Sequence, residues 1–519
     1  MTRRTALAAI AFSILAARIL TTGMQAQTGV ESNVPEAGFG PPTPTIQVYS
    51  RETVVDVLVT GADGQPVRGL TRSDFTIEED GHPQPIRGFY EYDKAAPPAP
   101  AHTLPPNTYT NATTLPVSGP VQVFLFDALG SPPACLVGAS KYIEDYLRSM
   151  PAGTQVALFA LSPSKGLVLM QGFSADGNAA ADIVDKLNVE WIRNPVYRPK
   201  PIAIAGMNQI AAYVAGIHGR KNLVWIVPGM PLMITRDGGY GHAAAAGPDM
   251  TIVHDLMNLY DVFTREQIAI YPLNPCGVHL PVGDDQEVAD ATGGTTDNTN
   301  DFKGEAAKIV DQSSHMYTLS YVTPRSDEDH HYHPIKITVD RPGLRLVYRN
   351  GYNDEQPSPP DPALRHDMIQ GPMRLGALPS TEILFDLQVQ RDPSPSPSKP
   401  PASPVSSPAP HTKGIPYNAV FLFDPTEIAL SQLPDGARTG SIELDLGAYD
   451  SFSQLVAVRS QTFKITVTPA QYAAFMQRPL KFSLPIDLPH GQLTLHAGLF
   501  DTVGNQAGTL EATLAIPRK

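Results

Sequence analysis

The sequence predicts a doubly wound α/β domain flanked by antiparallel β-sandwich modules, and three observations carry that expectation. The stretch 121–127, VQVFLFD, is apolar at five of its first six positions, Gln122 excepted, and ends on an aspartate. So continuous a run suits a strand buried on both faces of a parallel sheet. Strand and helix patterns then alternate for about two hundred residues, the signature of layered α/β architecture. On either side the pattern changes to short alternating strands broken by turn residues, as in antiparallel sandwiches.

The bulk numbers bound the answer. A chain of 519 residues exceeds one hydrophobic core, so roughly three domains are expected. A net charge of −13 speaks against a nucleic-acid partner, which would need a basic face. The 52 prolines and 41 glycines point to linkers and turns. The opening Met-Thr-Arg-Arg, the apolar run 6–17 and the small residues around Ala26 read as a secretory signal over 1–26. The apolar run is shorter than the ~20 residues a membrane span needs and Arg18 interrupts it, so no transmembrane segment is expected in the mature chain. The protein is expected to be exported, to the periplasm or out of the cell.

In chain order, the Pro/Gly-rich segment 27–44 should be disordered. Residues 45–92 form a small β module: Val55, Val57 and Val59 share one strand face, Phe75 and Ile77 another, and Glu79-Asp80-Gly81 closes a hairpin. Such a module cannot make a core alone, and residues 333–350 are expected to complete it. Residues 93–120 read as a Pro-rich linker, with a possible sequon at Asn111.

The α/β domain is placed at 121–323. Its strands are 121–127, 155–161, 167–172, 223–227, 268–273 and 317–321, with helices marked by Ile143/Tyr146/Leu147, Ile183/Val184, Met207/Ile210/Val214, Leu259/Phe263 and 302–313. A β-hairpin over 324–353 and a linker over 354–376 follow. Recurring strands over 377–519 predict a second sandwich, with a Pro/Ser-rich loop at 391–412. Cys135 and Cys276 both follow strands of the α/β domain, on one rim. One bridge between them and two separate thiols are both open, because sequence does not supply the distance.

Several stretches carry a family resemblance: DVLVTGADGQPVRGLTRSDFTIEEDG, VFLFDALGS, GRKNLVWIVPG, IAIYPLNPCG, ATGG, YTLSYVTPRS and RPGLRLVYRNGY. Over roughly residues 45–353 the chain resembles the von Willebrand factor A-like domains, of the VWFA-related type described from acidobacterial genomes. That resemblance implies a module for adhesion or assembly. It also implies a divalent cation held by an Asp-x-Ser-x-Ser loop with a Thr and an Asp from two further loops. Here Asp127 and Ser131 match, Leu129 replaces the middle Ser, Pro228-Gly229 stands where the distal Asp belongs, and 201–205 offers no hydroxyl. A hard cation wants about six oxygens, so Mg²⁺ or a similar ion would sit in a degenerate site on Asp127 and Ser131. Otherwise Asp127 is a polar strand end whose carboxylate accepts backbone N–H bonds.

Other candidates are weaker. Asp327–His333 (DEDHHYH) offers His330, His331 and His333 beside three carboxylates, a set zinc or copper accepts, although a solvated loop is the plainer reading. No nucleophile elbow, phosphate loop or zinc-protease motif occurs. Ser174 and Ser320 lack spaced His and Asp partners, and Trp191 and Trp225 read as packing residues. The functional expectation is an exported, non-enzymatic protein-binding or adhesion module that uses the rim at Ala128–Cys135, the loop after Val227 and Asn274–Gly277. The alternative is a cell-envelope scaffold whose sandwiches make the contacts while the α/β domain is inert.

Overall fold

The chain begins its described structure with strands β1 (Glu52–Thr60), β2 (Phe75–Glu79), β3 (His82–Gln84) and β4 (Ile86–Asp93). The computed structural model describes residues 52–93, 104–112, 120–129, 133–186, 199–217, 219–227, 250–274, 276, 283–296, 304, 307–309, 311, 315–323, 332–353, 373, 377–392 and 414–517. The expected export signal, segment 27–44 and most of the Pro/Ser tract lie outside those residues.

After a long excursion the chain returns as β11 (His315–Val322), β12 (Tyr332–Val339), β13 (Arg345–Val347) and β14 (Gly351–Asn353). These eight strands form two antiparallel sheets, ordered β13-β1-β11-β4 and β14-β12-β2-β3. Side chains alternate faces along each strand, so Val55, Val57, Val59, Phe75, Ile77, Tyr317, Leu319, Tyr321, Ile335 and Ile337 meet in one core.

Two expected boundaries move. The strand at 315–322, placed at the end of an α/β domain over 121–323, pairs instead with β1 and β4, with His315 in register with Asp93. Tyr317, Leu319 and Tyr321 of this strand pack in the core of the first β body. The hairpin expected over 324–353 does not close across Pro342-Gly343: β12 pairs with β2 and, at its start, with β14, whereas β13 joins β1 in the opposite sheet. The turn at Pro342-Gly343 carries the chain from the sheet of β12 to the sheet of β1.

The excursion holds the α/β body. Its strands are β6 (Val121–Asp127), β7 (Val156–Ser162), β8 (Gly166–Ser174), β9 (Lys221–Ile226) and β10 (Ile268–Leu273). They are ordered β10-β9-β6-β7-β8, parallel except for β8, which runs antiparallel at the edge. Every residue of β6, β7, β9 and β10 is buried, as strands covered on both faces must be. On one face Phe124, Phe126, Val224 and Tyr271 pack under α1 (Pro133–Ser149) and α2 (Gly177–Asp185). On the other Val123, Leu125, Phe159 and Trp225 pack under α3 (Pro199–Val214), α4 (Met250–Arg265) and α5 (Gly283–Thr292). The sequence reading had no element at α5. GDDQEVADAT is too polar to show a clear apolar stripe, and only Val288 and Ala289 are buried hydrophobics there.

The C-terminal body contains β15 (Asp386–Arg391), β16 (Ile415–Phe423), β17 (Ser431–Gln432), β18 (Arg438–Tyr449), β19 (Leu455–Val467), the short helix α6 (Pro469–Phe475), β20 (Leu480–Leu488), β21 (Gly491–Asp501) and β22 (Gln506–Ile516). Its two antiparallel sheets share one core of residues such as Leu387, Phe421, Leu444, Leu484, Leu495 and Leu514. The expected linker 93–120 contributes to this body. A short strand, β5 (Thr108–Thr110), pairs with β15, and Tyr109 donates to Thr513 O across to the other sheet (2.9 Å). The Asn111 amide donates to Ile383 O and accepts the Phe385 N–H, both at 2.8 Å. Low hydrophobicity hid this strand because an edge strand is held by backbone pairing more than by burial.

Two seams fix the α/β body between its neighbours. At the end of α3, Thr381 N donates to Ala212 O (2.8 Å) and its hydroxyl accepts the Gly216 N–H (2.8 Å), which satisfies groups the helix terminus leaves open. At the amino ends of β9 and β10 a buried polar ladder forms. Arg220 donates through Nε to Asn222 (3.2 Å) and through Nη2 to Tyr271 Oη (3.0 Å) and to Gly293 O, while Asn222 donates to Gln122 (3.3 Å). Gln267 donates to Asp56 on β1 (3.1 Å), and Arg349 to Val54 O (2.9 Å). Gly293 has φ +76, and a Cβ there would press on Arg349 N. A small crevice lined by Asp56, Arg220, Gln267, Thr292 and Arg349 remains between the bodies.

Lys221 is buried in this seam, its ammonium donating to Glu266 O (2.7 Å), and burial pushes it down to about 8 against the pull of Glu266 and Asp56. Between that value and the ordinary lysine range the unfolded chain holds the proton and the folded chain does not. Stability therefore rises as pH climbs from about 8 towards 10.5, by about 3 kcal/mol in total. Chemical denaturation across this window should show the rise in the wild type and a flatter profile in Lys221→Met.

Candidate functional site

In open α/β sheets the carboxyl ends of the parallel strands are where ligands and partners meet the fold. Here β6, β9 and β10 end together. Ala128 N donates to Leu161 O (3.0 Å) and Val227 N to Leu273 O (3.0 Å), so the sheet pairing continues to its last residues. Asp127 is the polar residue at the centre of this rim and is only 1% exposed. Its Oδ1 accepts the Leu129 N–H (2.8 Å) and its Oδ2 accepts the Trp225 indole N–H (3.1 Å). The first bond closes the loop after β6 in the manner of an Asx turn. The second crosses from β6 to β9, where register sets Trp225 opposite Leu125. Trp225 is thus a core residue whose one polar atom finds a partner, as buried indoles do.

The rim is also stapled covalently. Cys135, in the first turns of α1, is bonded to Cys276 beyond β10, with Cα atoms 4.7 Å apart. Asn274 Oδ1 accepts the Cys276 N–H (2.9 Å), which fixes the loop that presents the second cysteine. Ser131, the loop after Val227 and Gly277 lie outside the described residues, and 201–205 falls within α3. Of the expected ion ligands, the structure therefore describes Asp127 alone.

Other sequence candidates are dispersed. Ser320 accepts the Gly88 N–H inside a sheet (2.9 Å), and Ser174 accepts the Asp176 N–H ahead of α2 (3.0 Å). His330, His331 and the acidic residues 327–329 lie outside the described residues. His333 is described, and it is no solvated loop residue: β12 begins before it and buries it to 1% exposure, with Nδ1 3.0 Å from Asp80 Oδ2. Sequence reading missed its partners, Glu79 and Asp80, because they lie about 250 residues earlier in what read as an ordinary hairpin turn. The group Glu79, Asp80 and His333 is one set of side chains able to hold a metal ion.

No family model and no curated protein matches the chain. Among solved structures it is similar to a von Willebrand factor type A protein from Catenulispora acidiphila, at 10% identity and a TM-score of 0.28, over 84% of this chain and 75% of that one. It is also similar to BatB from Bacteroides thetaiotaomicron (14% identity, TM-score 0.26, 37% of this chain and 98% of that one). A third is the manganese-loaded TRAP protein of Plasmodium vivax (9% identity, TM-score 0.25, 51% and 97%). At these scores the likeness assigns neither fold nor function, and it does not reach the narrower acidobacterial type.

The Cys135–Cys276 bridge closes a loop with a sequence separation of 141. Breaking it should cost about 2–5 kcal/mol. The Cys276→Ala variant should unfold at lower denaturant than the wild type, and dithiothreitol should move the wild-type midpoint towards the variant while leaving the variant unmoved.

Proposed function

We propose that the chain is an exported, non-enzymatic protein-binding module. Its α/β body is a doubly wound domain of von Willebrand A type, carried between two β-sandwiches and presenting the carboxyl-end rim to a protein partner. What supports this most is that the other end of the body is taken. The amino-end side of β9 and β10 is tied to the first β body by Gln267, which donates to Asp56 on β1, and by Asn350 N, which donates to Asp290 O, and the end of α3 is capped by Thr381. The described hydrogen bonds at the rim, by contrast, stay within the α/β body. Among the described residues there, the disulfide joins Cys135 to Cys276 and the Asx turn orders Asp127–Leu129, and order present before association lowers its entropy cost. No described helix is long and apolar enough to cross a membrane.

Val137, on the outward face of α1 near the rim, is 53% exposed and gives a substitution that should not disturb folding. A partner recovered from envelope extracts by the wild type and lost with Val137→Glu, at unchanged melting temperature, is the expected result. Equal recovery by both would sink the rim reading. The scaffold reading draws on a different feature: Phe452, 82% exposed at the β18–β19 turn, with Leu455 beside it. Loss of capture in Phe452→Ser but not in Val137→Glu would favour that reading.

The degenerate cation site is part of the same proposal: Mg²⁺ or a similar ion held by Asp127 and Ser131. Calorimetric titration of the mature chain should give weak saturable binding that disappears in Asp127→Ala. An absence of heat at millimolar ion would retire the site.

A further inference from the structure

Glu79, Asp80 and His333 meet at one end of the first β body, where the turn between β2 and β3 folds against β12. Their donor atoms all lie within 4.8 Å of one another. The pairing of β2 with β12 sets this up: Ile335 stands opposite Glu79, and Asp80 N donates to Pro334 O (3.1 Å). Asp80 and Gly81 both have positive φ, 53° and 76°. That makes a two-residue turn of the primed kind, which directs the Asp80 carboxylate back onto His333 Nδ1.

Glu79 is 2% exposed, and among the described residues no lysine or arginine forms an ion pair with it. A buried carboxylate is costly unless it is paired or bound to a cation. Its surroundings resemble those of a ligand more than those of an ion pair. Tyr352, opposite His333 in the register, donates to Glu79 Oε2 (3.2 Å) and lays its ring 5.3 Å from the imidazole. The Tyr321 hydroxyl is buried beside the same carboxylate and reaches no hydrogen bond of ordinary geometry among the described residues. Outer groups of this kind orient metal ligands and tune them.

We propose that Glu79, Asp80 and His333 form a three-ligand site for a divalent transition metal of the zinc class, which clamps the β2–β3 turn onto β12. One imidazole nitrogen and two carboxylate oxygens suit zinc, cobalt or manganese and supply too few oxygens for calcium. Three protein ligands leave a fourth position for water. The site is separate from the rim and does not depend on the reading of Asp127. It joins a strand that precedes the α/β excursion to one that follows it, so metal binding would stabilise the closed body by mass action.

The test uses the full mature chain, stripped with EDTA and dialysed, then titrated with Co²⁺ and next with Zn²⁺. One equivalent of Co²⁺ with a visible four-coordinate band, bleached by Zn²⁺, together with a raised melting temperature is expected. Asp80→Asn is the decisive variant, because asparagine tolerates the left-handed backbone at that turn and should leave the fold intact. It should weaken Zn²⁺ binding at least about tenfold, with a larger loss in His333→Ala, while Asp127→Ala retains the band. No saturable Co²⁺ band in the wild-type chain overturns the site, as does a band of equal affinity in Asp80→Asn. Should His333→Ala fail to fold, Asp80→Asn decides alone.

Discussion

The register between Asp93 and His315 is the constraint on which the rest of the fold depends. The chain leaves the first β body along β4 and re-enters along β11, its neighbour in the same sheet. Everything from 94 to 314 must therefore begin and end at adjacent strand ends, about 5 Å apart. Such a closure costs only slowly more entropy as the excursion lengthens, so a whole α/β body fits within it. The excursion also makes a stop on the way out, lending β5 to the C-terminal body before β6 begins. The three bodies are threaded rather than strung. Removing the last one would strip β5 of its partner and α3 of Thr381, so truncation cannot separate a binding rim from a scaffold.

The seam at the amino ends of β9 and β10 explains what the motif stretches do. Arg220, from GRKNLVWIVPG, donates to Gly293 of ATGG. Gly293 in turn lies against Arg349 of RPGLRLVYRNGY, and Asn350 N donates to Asp290 O (3.1 Å). Three stretches distant in sequence meet at one place. A Cβ on Gly294 would run into the Ile270 carbonyl, so the second glycine is needed for close packing of the loop on β10. Gln122, the polar exception in an apolar strand, is the far rung of the same ladder. Three of the stretches that carry the family resemblance thus meet where the α/β body joins its neighbour, while VFLFDALGS and IAIYPLNPCG run to its rim.

How much of this could be read from sequence follows from which interactions leave a periodic trace. The runs at 121–127, 156–162 and 268–273 were legible because strands covered on both faces have no polar face. Val55, Val57 and Val59 were legible because one face of β1 is core. The same alternation at 315–322 gave a strand but not its sheet, since period reports which face is buried and says nothing of the neighbour. β5 left no trace, as a three-residue edge strand held by Asn111 and by backbone bonds carries no pattern. α5 was hidden by acidic residues on its outer turns. The Glu79, Asp80 and His333 group could not be seen because its spacing in sequence is set by the excursion, not by the chemistry.

The rim shows how a polar strand end changes use when its loop changes. An Asp at the end of β6 with hydroxyls two and four residues later would hold its carboxylate open for an ion. With Leu129 in the middle position, 4% exposed, the loop turns an apolar side chain into the core instead. The carboxylate then accepts the Leu129 N–H and the Trp225 indole. The first bond shapes the residues after β6, and the second ties β6 to β9. An ion at Asp127 would have to share oxygens already engaged, which weakens it. The same two bonds join β6 to its following residues and to β9, while the disulfide joins α1 to the residues after β10. The bonds that order the end of β6 are therefore the same ones an ion at Asp127 would have to compete with.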